Sequence, residues 1–371
     1  MNPRDLLAEL IAIDSVNPDL VPGGNGEQTI VDFCADWLSA NDFEIHRLEQ
    51  RPGRPSLVAV KKGSGGGRSL MLNGHVDTVG TAGYDGDPLK PEVKDGKMFG
   101  RGTFDMKGGV AAMMVAAART KDLRGDVIVA CVADEEHGSF GTEEVLQHFT
   151  ADAAIVTEPS HLEVTLAHKG FVWFDVEIEG RAAHGSRPEL GVDAIAKAGH
   201  FLVALEQHGH DLATGPKHHL LGTGTVHASL ISGGEEASTY PSACRITLER
   251  RTVPGETPDH VENELTQILD HLTATVPDFK AALTRGLARD PFEADPDAEI
   301  VRTLIANLGA PPVIRAEPFW TDCALLAAAG IPCLLFGVDG AGAHAATEHV
   351  DLASLDRLTD VLTGTITEFC G

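Results

Sequence analysis

The alternation of strand-like and helical segments in this sequence predicts an α/β fold with a second, inserted domain. Four short apolar runs, each suited to a buried strand, lie at 56–60, 69–73, 127–133 and 153–157. A helix of small and apolar residues is predicted at 107–120, between the second and third of these runs. Continuous apolar strands separated by helices are typical of a mixed, mostly parallel sheet that helices cover on both faces.

The character of the sequence changes at about residue 170. Two segments, 171–180 and 228–234, alternate between apolar and polar residues, as strands with one face in water do. Two long amphipathic helices are predicted in the same region. We therefore expect an inserted α+β domain at 170–292, with a four-stranded antiparallel sheet and two helices. The segments 1–169 and 293–371 would together form the larger, discontinuous domain.

Further elements complete the larger domain. Asn2-Pro3 has the residue types of a helix N-cap and first helical position. The remaining predictions are helices at 27–40, 296–309, 321–329 and 351–369, and a strand at 332–338.

Charge and composition exclude several classes of partner. Asp and Glu number 55 against 29 Lys and Arg, so the formal net charge is −26. A field of this sign disfavours nucleic acid and anionic membranes. Charged residues within the first twenty positions exclude the apolar core of a signal peptide. The six cysteines contain no CxxC pair and are interpreted as reduced core residues. We expect a cytoplasmic protein of enzyme size.

Imidazole and carboxylate side chains follow the C-terminal end of several predicted strands. Open α/β sheets bind ligands beyond these strand ends. An Asp before a helix is usually an N-cap, and a lone His after a strand is usually a loop residue, but neither explains the whole set. The set comprises His75 and Asp77 after 69–73, Glu135 and Glu136 after 127–133, Glu158 after 153–157, His344 after 332–338, and Asp105 before the helix at 107–120.

Two histidines and three carboxylates, without cysteine, indicate a site for divalent ions such as Zn, Co or Mn. Five ligands suit two ions if one carboxylate bridges them, and such pairs lie roughly 3.5–4 Å apart. A nucleotide-binding reading is weaker, because the glycine-rich segment 63–69 enters a strand and does not open a helix.

Six motifs follow one another along the chain: GHVDTV, GRGTFDMKGG, DEEHGSFGT, TEPS, AAHGSRPELGVDAI and AHAATEHV. Together, and in this order, they resemble the motifs of the co-catalytic metallopeptidase family. Its members include aminoacylase, acetylornithine deacetylase, succinyl-diaminopimelate desuccinylase and glutamate carboxypeptidase. The resemblance covers nearly the whole chain and implies a zinc-exopeptidase-like catalytic domain with an inserted lid or dimerisation domain.

The resemblance implies roles for the strand-end residues. His75 and Glu158 would hold one ion, Glu136 and His344 the other, and Asp105 would bridge them. Asp77 would accept the second ring N–H of His75 and so determine its tautomer. Glu135 would be the general base that takes a proton from the metal-bridging water and returns it to the leaving amine. The peptide bond after Asp105 is expected to be cis.

The resemblance also implies functional residues outside the metal set. His184 would stabilise the developing oxyanion, from the same chain or from the partner subunit, unless it is only a surface histidine. Arg251 would bind the substrate carboxylate, with its neighbour Arg250 as a competing candidate. Further substrate contacts are expected from Ser238, which stands where many relatives have asparagine, and from the Thr321-Asp322 pair.

The bulky Phe319 and Trp320 stand where many relatives have small residues, and therefore predict a narrower or more apolar pocket.

The function implied is hydrolysis of the amide bond of an N-acyl amino acid or related amine, with acetylornithine-like deacetylation as the first choice. Desuccinylase, aminoacylase, dipeptidase or carboxypeptidase activity is the alternative on the same scaffold. A non-catalytic ligand-binding descendant is a second class, although the base and all the ligand positions are filled. A homodimer through the inserted domain is expected.

Overall fold

The computed structural model describes residues 2–371, and these form an ordered succession of helices and strands. The helices are α1 (Pro3–Ile11), α2 (Gln28–Ser39), α3 (Lys107–Arg119), α4 (Phe140–His148), α5 (Ala194–Thr214), α6 (Pro258–Thr275), α7 (Glu299–Asn307), α8 (Cys323–Ala328) and α9 (Leu352–Cys370). The strands are β1 (Glu44–Leu48), β2 (Ser56–Lys61), β3 (Leu70–His75), β4 (Glu92–Lys94), β5 (Lys97–Phe99), β6 (Val127–Val132), β7 (Ala153–Val156), β8 (Val164–His168), β9 (Gly170–Glu179), β10 (Thr225–Gly233), β11 (Ala243–Thr252), β12 (Ala281–Arg289), β13 (Phe292–Glu293), β14 (Ile314–Glu317), β15 (Cys333–Leu335), β16 (Gly340–Ala341) and β17 (His349–Asp351).

The contacts within the chain divide it into two compact units. The predicted insertion, 170–292, falls inside unit 2, to which the structure also assigns a short later segment. Unit 1 comprises Met1–Leu166, Ala294–Arg315 and Thr321–Gly371, and unit 2 comprises Ala167–Glu293 and Ala316–Trp320.

Unit 1 is built on a mixed sheet in which β1, β2, β6, β3, β7, β15 and β8 are neighbours in that order. The pairs β6–β3, β3–β7 and β7–β15 are parallel, and the pairs toward both edges are antiparallel. The four parallel strands are buried along their whole length, as the apolar runs predict. The structure adds the antiparallel edge strand β1, which carries too many polar residues to be recognised from periodicity.

The helix α3 forms the centre of the core of unit 1. It contacts α1, α9 and β3, and every residue from Lys107 to Ala118 is buried. Small residues make this close packing possible. A Cβ atom on Gly109 would lie only 2.0 Å from the carbonyl oxygen of Thr157, at the end of β7. The helix and the strand end are therefore held at a separation that any larger residue would prevent.

Unit 2 contains the antiparallel sheet of order β10-β11-β9-β12, with α5 and α6 packed on one face. The predicted four-stranded antiparallel sheet with two helices is confirmed, and its elements follow one another along the chain as β9, α5, β10, β11, α6 and β12. One face of the sheet and the apolar sides of both helices form a separate core, which includes Phe174, Phe201, Leu248 and Leu265. Side chains on the other face are largely polar and more exposed.

None of the helices in the described part of the chain has both the length and the apolar character needed to cross a membrane.

Candidate metal centre

The parallel arrangement of the central strands brings the predicted ligands to one edge of the sheet. His75 is the last residue of β3, Glu135 and Glu136 follow β6, and Glu158 follows β7. Parallel strands end at the same edge, so residues more than eighty positions apart in the chain become neighbours. The loop between β16 and β17 carries His344, whose backbone has a φ angle of 60°.

Asp105 lies between the two histidines. Its Oδ1 atom is 3.1 Å from Nε2 of His75, and its Oδ2 atom is 3.3 Å from Nε2 of His344. One carboxylate therefore presents a separate oxygen to each imidazole, which is the arrangement a bridging ligand requires. The peptide bond that joins Asp105 to Met106 is cis, as the resemblance implied.

The glutamates complete two groups around this centre. Glu136 Oε2 lies 2.9 Å from His344 Nε2, and Glu158 Oε1 lies 3.3 Å from His75 Nε2. Glu135 Oε2 lies 3.9 Å from the same nitrogen of His75. Possible donor atoms of His75, Asp105 and Glu136 lie within 4.8 Å of one another, as do those of His75, Glu135 and Glu158. The two groups overlap at His75, and His344 extends the first of them through Asp105 and Glu136.

The glutamates crowd together in a buried space, and this raises their pKa values. Burial, followed by the charge of Asp105, raises the pKa of Glu136 to about 7. Burial raises the pKa of Glu158 to about 7, with Asp105 and Glu136 adding to the effect. Burial and the charge of Glu158 raise the pKa of Glu135 well above its ordinary value. The raised pKa values show that the cationic groups of the protein do not fully balance the charges of these carboxylates.

The residues present fit a divalent cation by two observations. Oε1 of Glu136 is buried without a hydrogen-bond partner among the described residues. Hydrogen bonds to Asp105 and Glu136 raise the pKa of His344 to about 10, so protons act as the counterions of these carboxylates. A cation bound by carboxylates and neutral imidazoles would replace those protons, and its affinity would depend on pH for that reason.

Asp77 is placed differently from its expected role. Nδ1 of His75 is 3.0 Å from the backbone carbonyl oxygen of Asp77, which is its hydrogen-bond partner, and 3.6 Å from the Asp77 carboxylate. The carboxylate instead accepts the backbone N–H groups of Glu135, at 3.2 Å, and Glu136, at 3.3 Å. Asp77 therefore acts on both sides of the centre: its carbonyl orients the imidazole, and its carboxylate holds the turn that carries the two glutamates.

A buried network behind this turn was not foreseen from the sequence. Nδ2 of Asn17 donates to Asp77 at 2.8 Å and to Asp134 at 3.0 Å. Arg54 donates to both oxygens of Glu27, at 2.6 and 2.7 Å, and to Asp134 at 3.2 Å. The side chains of Arg54, Glu27 and Asp134 are all nearly inaccessible to solvent. The local sequence around Arg54, RPGRPS, is that of an ordinary polar loop. Only the hydrogen-bond partners of Arg54 in the folded protein identify this arginine as a structural residue.

Glu348 is a second residue that the sequence did not single out. Its Oε1 atom accepts the backbone N–H groups of Phe104 and Asp105, at 2.9 and 3.0 Å. Its Oε2 atom accepts from the Gly102 backbone N–H at 2.9 Å and from Arg101 Nη1 at 2.8 Å. The residue lies four positions after His344, so its carboxylate joins the loop that carries this histidine to the segment that ends in Asp105.

Of the predicted substrate residues of unit 2, His184 and Ser238 lie on neighbouring segments, since His184 forms a backbone bridge with Thr239. His184 is exposed, and its Nδ1 atom lies 2.8 Å from Oγ of Ser186. Ser238 is exposed, and its backbone oxygen accepts the N–H group of Gly185. Arg250 is fully buried and ion-paired with Glu256, which leaves it unsuited to meet a substrate.

Arg251 is different, because its side chain lies on the open face of the sheet and is 30% exposed.

The Thr321-Asp322 pair is buried, and this differs from the expected substrate contact. Asp322 Oδ2 accepts the hydroxyl of Thr142 at 2.6 Å, and Thr321 Oγ1 accepts the backbone N–H group of Cys323. Burial raises the pKa of Asp322 to about 6. Its charge also helps to raise the pKa of Glu135. Asp322 therefore acts on the centre through its charge, whereas Thr321 bonds only to the backbone of α8.

Two other groups of potential ligands have different explanations. Asp19 and Asp134 both bind Arg54, so that positive charge is already present beside them and His137. In the second group, Nδ1 of His218 accepts the backbone N–H groups of Leu220 and Leu221. Its proton must then lie on Nε2, which faces Glu293 at 3.2 Å and is therefore a donor and not a ligand.

Comparison with known proteins agrees with this geometry. Residues 71–368 match the family model described as peptidase family M20/M25/M40. An acetylornithine deacetylase from Myxococcus xanthus is 33% identical to the chain, with 99% of this chain and 97% of the relative covered.

Two solved structures share the fold. A tripeptidase from Staphylococcus aureus superposes with a TM-score of 0.81 at 22% identity, covering 100% of this chain and 98% of the other. A dinuclear metal-binding peptidase of family M20 from Bacillus subtilis superposes with a TM-score of 0.75 at 15% identity, covering 99% and 98%. The chain therefore belongs to peptidase family M20/M25/M40 and is a metal-dependent hydrolase of amide bonds.

Proposed function

We propose that this chain hydrolyses the amide bond of an N-acyl amino acid, with an acetylated substrate of the ornithine type as the first choice. The observation that carries the proposal is the position of Asp105, which offers one oxygen to His75 and the other to His344. The similarity to the acetylornithine deacetylase from Myxococcus xanthus, which extends over almost its whole length, supports acetyl as the acyl group and an amine of the ornithine type.

The proposed ligand roles are those that the resemblance implies, and the pairing of one glutamate with each histidine supports them. His75 and Glu158 would hold one ion, Glu136 and His344 the other, and Asp105 both. A donor set of imidazole nitrogens and carboxylate oxygens favours Zn, with Co and Mn as alternatives. Two such ions, when bound, polarise the amide carbonyl and make a water molecule between them more acidic.

Glu135 is the residue we assign as general base. Its carboxylate lies beside His75. Its backbone N–H group donates to Asp77, so the protein itself holds Glu135 in place and a metal ion is not needed for this. Burial and neighbouring acids raise its pKa, and bound cations would lower it again. A base poised between these opposing effects can take a proton from water and later deliver it to the leaving amine.

The test is the Glu135→Gln variant, which keeps the shape of the side chain but cannot accept a proton. We expect turnover of N-acetyl amino acids to fall by about 10³-fold or more, because a positioned base contributes about 10² to 10⁴. Metal analysis should still find two ions per chain. The exposed Glu143→Gln, one turn into α4, is the matched control and should retain activity. Undiminished turnover of Glu135→Gln, or a wild-type protein without metal, would contradict the proposal.

The acyl group is resolved by a substrate panel at equal metal load. Acetyl-, succinyl- and peptidyl-amino acids distinguish deacetylase and aminoacylase activity from desuccinylase and dipeptidase or carboxypeptidase activity. A non-catalytic ligand-binding role would show itself as binding of these compounds without hydrolysis of any of them.

We further propose that the chain forms a homodimer through unit 2. The strand β10 lies at an edge of its sheet, so its outer backbone groups have no neighbouring strand. It exposes Leu230 at 68% and Ile231 at 57% of their surfaces. The adjacent helix α5 exposes Val203 at 67% and Ile195 at 46%. Two copies related by a two-fold axis would pair their β10 strands and cover these side chains.

His184 remains a proposed oxyanion-stabilising residue, supplied either by the same chain or by the partner of such a dimer.

A further inference from the structure

Three backbone N–H groups converge on one carboxylate in the segment between β5 and α3. Those of Phe104 and Asp105 donate to Oε1 of Glu348, at 2.9 and 3.0 Å, and that of Gly102 donates to Oε2 at 2.9 Å. Gly102 has a φ angle of 81°, in the left-handed region that favours glycine. Backbone N–H groups that turn toward one point form a concavity that binds an anion. Here the chain supplies the anion itself, from a residue 243 positions after Asp105.

The carboxylate of Glu348 has a buried counterion. Its fourth donor is Nη1 of Arg101, at 2.8 Å, and the side chains of Glu348 and Arg101 are 1% and 3% exposed. Four N–H donors occupy the lone pairs of both carboxylate oxygens, so neither oxygen is left to carry a proton. Glu348 and Arg101 therefore form a buried ion pair, and replacement of either partner leaves the other charge uncompensated.

The second fork nitrogen of Arg101 holds the loop that carries His344. Nη2 donates to the backbone oxygen of Ala345, the next residue in the chain, at 3.0 Å. The His344 side chain is 55% exposed, so little packing around it determines its position. Its backbone φ angle of 60° is also one that residues other than glycine rarely adopt. The conformation of this loop therefore depends on its partners, and Arg101 binds it through the same guanidinium group that binds Glu348.

The two segments held in this way carry ligands of the same group. Oδ2 of Asp105 lies 3.3 Å from Nε2 of His344, and Oε2 of Glu136 lies 2.9 Å from that nitrogen. Asp105 projects from the segment that Glu348 binds, and His344 projects from the loop that Arg101 binds. The spacing of these two ligands is thus set by a pair of residues that belong to neither group of donor atoms.

We propose that Arg101 and Glu348 are positioning residues of the metal centre, which hold Asp105 and His344 in the relation that the bound ions require. The proposal rests on the ligand roles proposed above. Arg101 and Glu348 act only through the two ligands that they hold. Ligands that are already in place lose less conformational entropy when an ion binds. Replacement of a residue that orients a metal ligand typically lowers metal affinity by about 10- to 100-fold.

Two variants loosen this arrangement to different degrees. Arg101→Lys keeps the positive charge but has one nitrogen in place of two, so the contacts with Glu348 and with the Ala345 carbonyl cannot both be kept in full. Glu348→Gln keeps the shape of the side chain, but its NH₂ group faces N–H donors from which it cannot accept. The matched control is Arg250→Lys in unit 2. Arg250 is also buried, and its fork likewise binds a glutamate, Glu256, and a backbone oxygen.

The measurement is a titration of the metal-free protein with Co²⁺, followed by the visible absorption of the bound ion, together with chemical denaturation of the same samples. We expect Arg101→Lys to lower the affinity for at least one ion about tenfold, and Glu348→Gln to lower it about a hundredfold. Arg250→Lys should lose stability to denaturant but bind Co²⁺ as the wild type does. In a His344→Ala background, Arg101→Lys should lose most of its effect, because the loop that Arg101 holds then carries no ligand.

The outcomes separate this inference from the proposed function. Unchanged Co²⁺ affinity in folded Arg101→Lys would overturn the positioning role, and so would an equal fall of affinity in Arg250→Lys, since general loss of stability would then be the cause. If Glu348→Gln does not fold, the comparison of Arg101→Lys with Arg250→Lys still decides. A wild-type protein that binds no Co²⁺ would refute the ligand roles and this inference together. Binding of two ions without hydrolysis of any N-acyl amino acid would refute the proposed function alone.

Discussion

Lys107 lies in the first turn of α3, two residues after Asp105, and its charged side chain is fully buried. Its Nζ atom donates to the backbone oxygens of Leu10, at 3.0 Å, and Ile13, at 2.8 Å. These carbonyl groups are at and beyond the C-terminal end of α1, where helical partners are missing. Burial lowers the pKa of Lys107 to about 8, although distant carboxylates such as Asp14 oppose the effect.

This buried lysine makes a contribution to the free energy of unfolding that rises with pH, while the raised pKa of His344 makes a contribution of the opposite sign in the metal-free protein. The pKa of Lys107 is about 8 in the folded protein and 10.5 in the unfolded chain. At pH values between these two, the unfolded chain binds a proton that the folded protein does not. The free energy of unfolding of the metal-free protein should therefore gain up to about 3 kcal/mol from Lys107 as the pH rises through this window. Chemical denaturation at both ends of the window measures the effect.

Lys107→Met should remove this increment, and the exposed Lys121→Met should leave it in place. The same pH dependence in Lys107→Met and in the wild type would show that another group is responsible.

At the scale of elements, the separation between α3 and β7 controls the spacing of the metal centre. Asp105 immediately precedes α3 and Glu158 follows β7, so both positions depend on how closely the helix approaches the strand end. Gly109 is the residue of closest approach, since an added Cβ would lie 2.0 Å from the backbone oxygen of Thr157. Backbone atoms cannot yield as a flexible side chain can, so any larger residue must displace the helix.

Two glycine-to-alanine variants compare this site with an unconstrained one. Gly109→Ala should destabilise the protein by about 2 kcal/mol or more, because overpacking costs roughly 1–3 kcal/mol, and should also weaken metal binding. Gly199→Ala, in α5, introduces a Cβ with nothing within 4 Å, and should stabilise by about 0.5–1 kcal/mol through helix propensity. Thermal unfolding with and without metal distinguishes them. Equal effects of the two substitutions would contradict the packing argument.

At the scale of the whole molecule, each unit has its own apolar core and its own sheet. The chain carries a net charge of −26, so two copies repel each other unless apolar contact or salt offsets this repulsion. The edge strand β10, with Leu230 and Ile231, is where the proposed homodimer would supply that contact.

Leu230→Lys should convert the proposed dimer to monomer at micromolar concentration, as judged by light scattering after gel filtration. A buried leucine at an interface contributes about 1.5–3 kcal/mol, and each copy contributes one. Val93→Lys is the control, because the exposure of Val93, at 61%, is similar to the 68% of Leu230, but Val93 lies in unit 1. A wild-type protein that is monomeric at all concentrations and salt conditions would refute the homodimer.

Helices and strands could be predicted wherever a short stretch of sequence carries its own signal, such as a continuous apolar run or an N-cap. The runs that became β2, β3, β6 and β7 are continuously apolar, and Asn2-Pro3 does start α1, with the Asn2 side chain accepting the N–H group of Arg4. The edge strand β1 and the small sheet of β16, β17, β5 and β4 were not predicted. These short strands are partly exposed, so little apolar periodicity marks them.

For the candidate site, the sequence by itself determined the kinds of groups at the strand ends and, through the parallel order of those strands, that they meet at one edge. The α/β class was predicted from the alternation of strands and helices, and the family and the amide-hydrolase class from the resemblance of the motifs; all three are confirmed. Only the tertiary structure decided that Asp77 orients His75 through its carbonyl, that Arg54 and Glu348 support the ligand turns, and that Thr321 and Asp322 are buried. The same is true of the different orientations of Arg250 and Arg251. The physical reason is that strand-end positions follow from short-range periodicity, whereas the hydrogen-bond partner of a buried polar group is set by long-range packing: Arg54 and Asp134 are 80 residues apart, and Asp105 and Glu348 are 243 apart.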